Sequence, residues 1–98
     1  MPAAADALTL IILKQDLQLL HDEADEYLQT LIQAARANIA REGIAIDDND
    51  PSHVVAVAQY AAWLYRKRTL DTAPMPRMLR WALNNILFQQ KGGGDENA

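Results

Sequence analysis

The apolar residues of this chain recur with helical spacing in four places, and none of the four stretches alternates as a strand would. Leu10, Leu13 and Leu17 form one stripe, broadened by Ile11 and Ile12, which predicts a first helix from about Thr9 to Gln18 with Thr9 as its N-cap. Tyr27, Leu28, Leu31, Ile32, Ala35 and Ile39 form a longer stripe, so a second helix is expected between Asp22 and Gly43, roughly 30 Å long. Asp22 is expected to cap it, with Asp25 in the position of a capping-box side chain. Gly43 then supplies the left-handed residue that ends it.

Asp50 followed by Pro51 is the N-cap and N1 pairing of a third helix start. From Val54 to Tyr65 only Gln59 is polar, so this helix is apolar on nearly every side and is expected to be buried or shared with a partner. After the proline-containing linker TLDTAPMP, Pro76 can open a fourth helix that runs to about Gln90. The expectation is an all-α fold: a small bundle of four helices with a long second helix and a buried third. It occupies residues 1–91 as a single domain, followed by a flexible tail over 92–98, GGGDENA.

Composition sharpens this picture in two ways. The chain has no cysteine, which removes disulfides and thiolate metal sites. Its N-terminus lacks the basic start and cleavage site of a signal peptide, and its apolar runs, such as Val54 to Ala58, are far short of the ~20 residues that cross a bilayer. A soluble protein that stays where it is made is therefore expected. Charge is divided unevenly: residues 1–50 carry a net −7 and residues 51–98 a net +3, within an overall −4. An acidic face meeting a basic face of another copy would use that division, while helix-end preferences alone would also produce much of it.

Residues with catalytic potential are scarce. Asp22, Asp25 and Glu26 lie within one helical turn, but acids there ordinarily serve the helix dipole rather than a cation. His21 and His53 each adjoin a helix start without a second histidine at i+4, as surface or cap-region residues do. Gly92 to Gly94 follow a helix instead of preceding one, so they make no phosphate cradle. No catalytic, cofactor-binding or metal-binding residue is assigned, no cofactor is expected, and the chain reads as a non-enzyme.

The fourth helix is more telling. Met75, Leu79, Ala82, Leu83 and Ile86 share one face, while Trp81 and Phe88 lie on the opposite one among Arg77, Arg80, Asn84 and Asn85. Aromatics and arginine are enriched in interface hot spots, so Trp81, Phe88, Arg77 and Arg80 are candidate subunit-contact residues. The far side of the third helix at Tyr60 and Trp63 is the second such place. Contact with nucleic acid is the alternative for this face, with arginine on phosphates and Asn84, Asn85, Gln89 or Gln90 on bases. Net acidity and the long proline-broken connection weigh against that, since a helix-turn-helix has a turn of three or four residues.

From Thr9 to Ala35 the order is TL, Lys14, L-x-L, the acidic D-x-x-D, then L-x-x-LI-x-AA; AAWLYRKR and MPRMLRWALN follow later. In that order the chain resembles the gp6-like head–tail connector proteins of tailed bacteriophages and prophages, over about Thr9 to Phe88. Ile11 and Ile12 depart from it, standing where members often carry an acid. The resemblance implies a structural subunit that forms a homo-oligomeric ring beneath the portal protein. Such a ring joins capsid to tail-completion proteins and helps retain packaged DNA by enclosing it. The implied location is the host bacterial cytoplasm during assembly and then the head–tail junction of the virion. A small helix-turn-helix-like DNA-binding regulator and a generic helical adaptor remain the alternatives.

Overall fold

A computed structural model describes residues 4–69 and 72–96, with side chains placed over 6–69 and 72–91. Four helices follow one another: α1 (Ala4–Leu17), α2 (Asp25–Arg41), α3 (Pro51–Lys67) and α4 (Arg77–Glu96). No strand occurs among the described residues. The all-α bundle expected from the apolar spacing is the fold, and α3 lies at its centre, packed against each of the other three helices. At 17 residues each, α2 and α3 are equally long, and α4 is longer at 20.

Burial of α3 has a simple origin. Ala56, Ala58, Ala61 and Ala62 keep it slim, and with Val54, Val57 and Tyr60 they are all buried. Slim faces let Leu13 of α1, then Leu28, Ile32, Ala35 and Ile39 of α2, close over it. Leu79, Leu83 and Ile86 of α4 complete the core from another side, which is the face of α4 on which the sequence placed Leu79, Leu83 and Ile86. Asp50 caps α3 as expected, accepting from the Ser52 N–H at 2.9 Å and the Ser52 hydroxyl at 2.7 Å.

The ends of the first two helices differ from the sequence expectation. α1 begins at Ala4 rather than Thr9, because Ala4, Ala5 and Ala7 are strong helix formers. Thr9 thus lies within the helix and faces the core, fully buried. Ile11 does not broaden the core stripe; it is exposed, whereas Ile12 is half-buried against the core. Nor does Asp22 cap α2. The N-cap is Ala24, with no side-chain bond, because Lys14 Nζ draws the Asp22 and Asp25 carboxylates to 2.6 and 2.8 Å. A carboxylate paired with an ammonium, both ionised, outcompetes the same carboxylate on a neutral backbone N–H.

At its far end α2 stops as expected, with Gly43 at φ +89° and its N–H bonded to the Ala40 carbonyl. A Cβ there would only touch Leu87, so backbone conformation and not space is what demands glycine. α4 starts at Arg77, with the Pro76 carbonyl accepting from the Arg80 N–H, and it continues to Glu96 instead of ending near Gln90. Leu70 and Asp71 of the linker, and Asn97 and Ala98 of the tail, lie outside the described residues.

α1 ends in a Schellman turn. The Leu19 N–H bonds to the Lys14 carbonyl at 2.9 Å and the Gln18 N–H to the Gln15 carbonyl at 3.2 Å. This places Gln18 at φ 59°, the one described non-glycine residue with positive φ. A left-handed conformation costs a side-chain-bearing residue about 1–2 kcal/mol, while glycine adds about 0.4–1 kcal/mol of unfolded-state entropy. Gln18→Gly should therefore stabilise the domain by about 0.5–1 kcal/mol, raising its Tm by a few degrees in a thermal melt. An unchanged or lower Tm would mean the turn is relaxed.

Candidate functional site: the exposed face of the fourth helix

With Leu79, Leu83 and Ile86 committed to the core, the geometry of a helix turns Met78, Trp81, Asn85 and Phe88 outward along one stripe. Met78 is 70% exposed, Trp81 62% and Phe88 75%. Arg77 and Lys91 border the stripe, both exposed, and α4 presents no acid between Arg77 and Lys91. Trp81 and Met78 also form one wall of a groove of about 430 Å³ whose other wall is Pro51, Ser52, Val55 and Gln59 of α3. Large apolar side chains gathered in a patch, rather than scattered, are what interaction surfaces and ligand grooves present, which makes this face the candidate site.

Of the six candidate contact residues, the structure brings Trp81, Phe88 and Arg77 together on this open stripe. Arg80 is turned away from it. Its guanidinium forms a bidentate pair with Glu42 at 2.8 and 3.0 Å, and also donates to Asn84 Oδ1 at 3.3 Å. Tyr60 and Trp63 are not on an open side of α3. Tyr60 is buried, its ring meets Trp63 edge-on at 5.4 Å, and burial pushes its hydroxyl pKa up. The Trp63 indole N–H donates to the Ala73 carbonyl at 3.2 Å, fastening the linker, and Lys67 lies 4.9 Å over its ring. These two residues belong to the core and its rim within one chain.

Met78 and Val55 escaped the sequence reading, although Met78 stands three residues before Trp81 and so shares its face. Gln90, one of the amides considered for base contacts, is already engaged. Its side-chain nitrogen donates to the Ala45 carbonyl at 2.6 Å and its oxygen accepts from the Ala45 N–H at 3.0 Å. The amide thus pairs with the loop backbone as a neighbouring strand would.

The two histidines and the acidic turn carry no assembled chemistry. His53 is buried rather than on the surface; its Nδ1 accepts from the Asp47 N–H at 2.9 Å and its Nε2 faces Asp50 at 3.4 Å. His21 stays exposed, 3.9 Å from Glu23. Among the described residues no group of three or more histidines and acids is placed to hold a metal ion. Likewise no described helix is long and apolar enough to cross a membrane. Comparison with protein-family models, curated proteins and solved structures gives no match.

The pair that positions the stripe has a pH signature. Hydrogen bonds from Arg80 hold the Glu42 carboxyl below its ordinary value of 4.5, against a weaker opposing effect of burial. The pair therefore contributes fully above that value and is lost as the pH falls through the lower, folded-state pKa. Glu42→Gln should cost about 1 kcal/mol at pH 7, given a half-exposed but bidentate pair. Urea unfolding should show that difference shrinking as the pH is taken down through and below the ordinary carboxylate range. An undiminished difference at acid pH would place the effect in packing.

Proposed function

We propose that this protein is a structural, non-catalytic subunit of a head–tail connector ring, as its resemblance to the phage and prophage connector proteins implies. In this reading copies pack side by side beneath the portal protein, join it to tail-completion proteins and enclose the exiting DNA. The observation that carries the reading is the Met78, Trp81 and Phe88 stripe: a subunit with a closed core of its own still presents two large aromatics to solvent. Burying one such side chain is worth about 1.5–3 kcal/mol, so leaving both exposed is unfavourable unless something covers them.

A DNA-binding regulator accounts for the same face less well. Arg80 and Gln90, which would contact phosphate and base, are bonded within the chain. The connection from Arg68 to Pro76 also separates α3 from α4 by more than the tight turn such motifs use.

Mass in solution tests the proposal, measured by light scattering against concentration and in the presence of duplex DNA. The full chain should form closed multimers, and Trp81→Ala with Phe88→Ala should keep wild-type helicity while losing tenfold or more in assembly affinity. A monomer that shifts duplex DNA at nanomolar concentration would replace the connector with the regulator.

A further inference from the structure

A second apolar surface lies on α1 and the turn that follows it. Ile11, Lys14, Gln15, Gln18, Leu19 and Leu20 line a groove of about 440 Å³. Leu20 in this groove is 97% exposed, more than any other large apolar side chain described. The left-handed Gln18 and the Schellman turn hold it there on a fixed backbone, so its exposure is built into the fold. Upstream on the same helix Leu8 and Ile11 are exposed as well.

Charge separates this surface from the one on α4. The lysine in its wall is paired with Asp22 and Asp25, and Glu23 and Glu26 of the same acidic segment stand exposed with no lysine or arginine among residues 15–35 to offset them. The α4 stripe is bordered by Arg77 and Lys91 instead. Pairing either surface with its own copy would set like charges against each other, whereas pairing one with the other sets acid against base.

Position in the fold shows why one chain does not cover its own patches. The α4 stripe sits beside Pro51 to Gln59, at the start of α3. The α1–α2 turn is fastened to the end of α3, through Asp16 on Arg66 at 3.0 Å and Tyr27 against Tyr65. Val55 and Tyr65 are ten residues apart, about 15 Å along the helix axis. The rigid central helix holds the two surfaces apart.

We infer that the Met78–Trp81–Phe88 stripe of one copy docks on the Ile11–Leu20 groove of the next, head to tail. The inference rests on the proposal that the chain assembles with itself, and it names the two surfaces that meet. At their present exposure Trp81 and Phe88 offer about a third of the ~800 Å² that a specific interface takes from each partner. Met78, Arg77 and the flanking amides extend the contact. Two different patches meeting in this way leave one of each free at the ends, so the chain of copies closes into a ring where the rotation permits and otherwise grows as an open filament.

Two variants test it because each spoils one surface only. Trp81→Ala with Phe88→Ala removes the stripe, and Leu20→Arg places a bulky cation in the groove facing Arg77. All three positions are exposed, so circular dichroism and melting should match wild type. In sedimentation velocity each variant alone should be monomeric where wild type assembles. Mixed in equal amounts they should give a one-to-one heterodimer and nothing larger, since only one intact stripe and one intact groove can meet.

Three results would overturn the inference. The first is wild type that stays monomeric up to about 1 mM, where a contact is worth only about 4 kcal/mol. The second is dimerisation of Leu20→Arg alone, which would make the interface stripe to stripe. The third is assembly of wild type with both variants behaving like it, which would spare the ring proposal and move the contact elsewhere. A heterodimer from the mixture with open, unclosed polymers from wild type would uphold the inference and remove the ring.

Discussion

Everything in this small protein depends on the slimness of one helix. α3 meets α1, α2 and α4, and it does so because four of its buried residues are alanines. Alanine contributes little apolar area itself, but it lets neighbouring helices approach until Leu13, Leu28, Ile32 and Leu83 are fully enclosed. Larger side chains at these positions would force the helices apart and cost packing throughout. The core is consequently complete within a single chain while remaining thin. The aromatics of α4 have no room in it, and they are left on the surface.

Ion pairs then set how the helices sit around α3. Arg36 on α2 holds Asp6 of α1 at 2.8 Å and Asp48 of the following loop at 3.0 Å. Lys14 ties the end of α1 to the beginning of α2, and Arg66 ties the end of α3 to Asp16. Arg80 ties α4 to the end of α2, which orients the stripe around Trp81. Most of these pairs are half-exposed, so each contributes modestly to stability and more to register. Two of them, Asp16–Arg66 and Glu42–Arg80, join the acidic half of the chain to its basic half internally. The charge division is thereby partly spent inside the subunit; exposed acids remain at the α1–α2 turn and in the loop before α3, and exposed bases at the end of α3 and along α4.

Periodicity and turn chemistry made much of this legible from the sequence. The apolar run from Val54 to Tyr65, the Asp50–Pro51 start and Gly43 each led to the element that is present. The outward aromatics were readable too, because Leu79, Leu83 and Ile86 already define an inner face. Three features were not. Asp22 has the sequence of a cap, but its choice between a backbone N–H and Lys14 depends on a contact across the turn. Tyr60 and Trp63 look like an apolar far side until the linker folds back to place Ala73 on the indole. The exposure of Leu20 depends on Gln18 adopting a left-handed conformation that no local residue preference announces. In each case the deciding interaction lies between residues that the helical period does not relate.

The central claim is that Trp81 is open to water in the single subunit and covered when copies meet. Fluorescence of Trp81 against protein concentration tests this directly, with Trp63 replaced by Phe so that one indole reports. The account predicts emission that is red-shifted and readily quenched by iodide in dilute solution. The emission should move to the blue and become protected at the concentrations where the mass rises. Blue, protected emission at every dilution would put Trp81 in the core of its own chain. Red, quenchable emission in the fully assembled state would put the interface on another face.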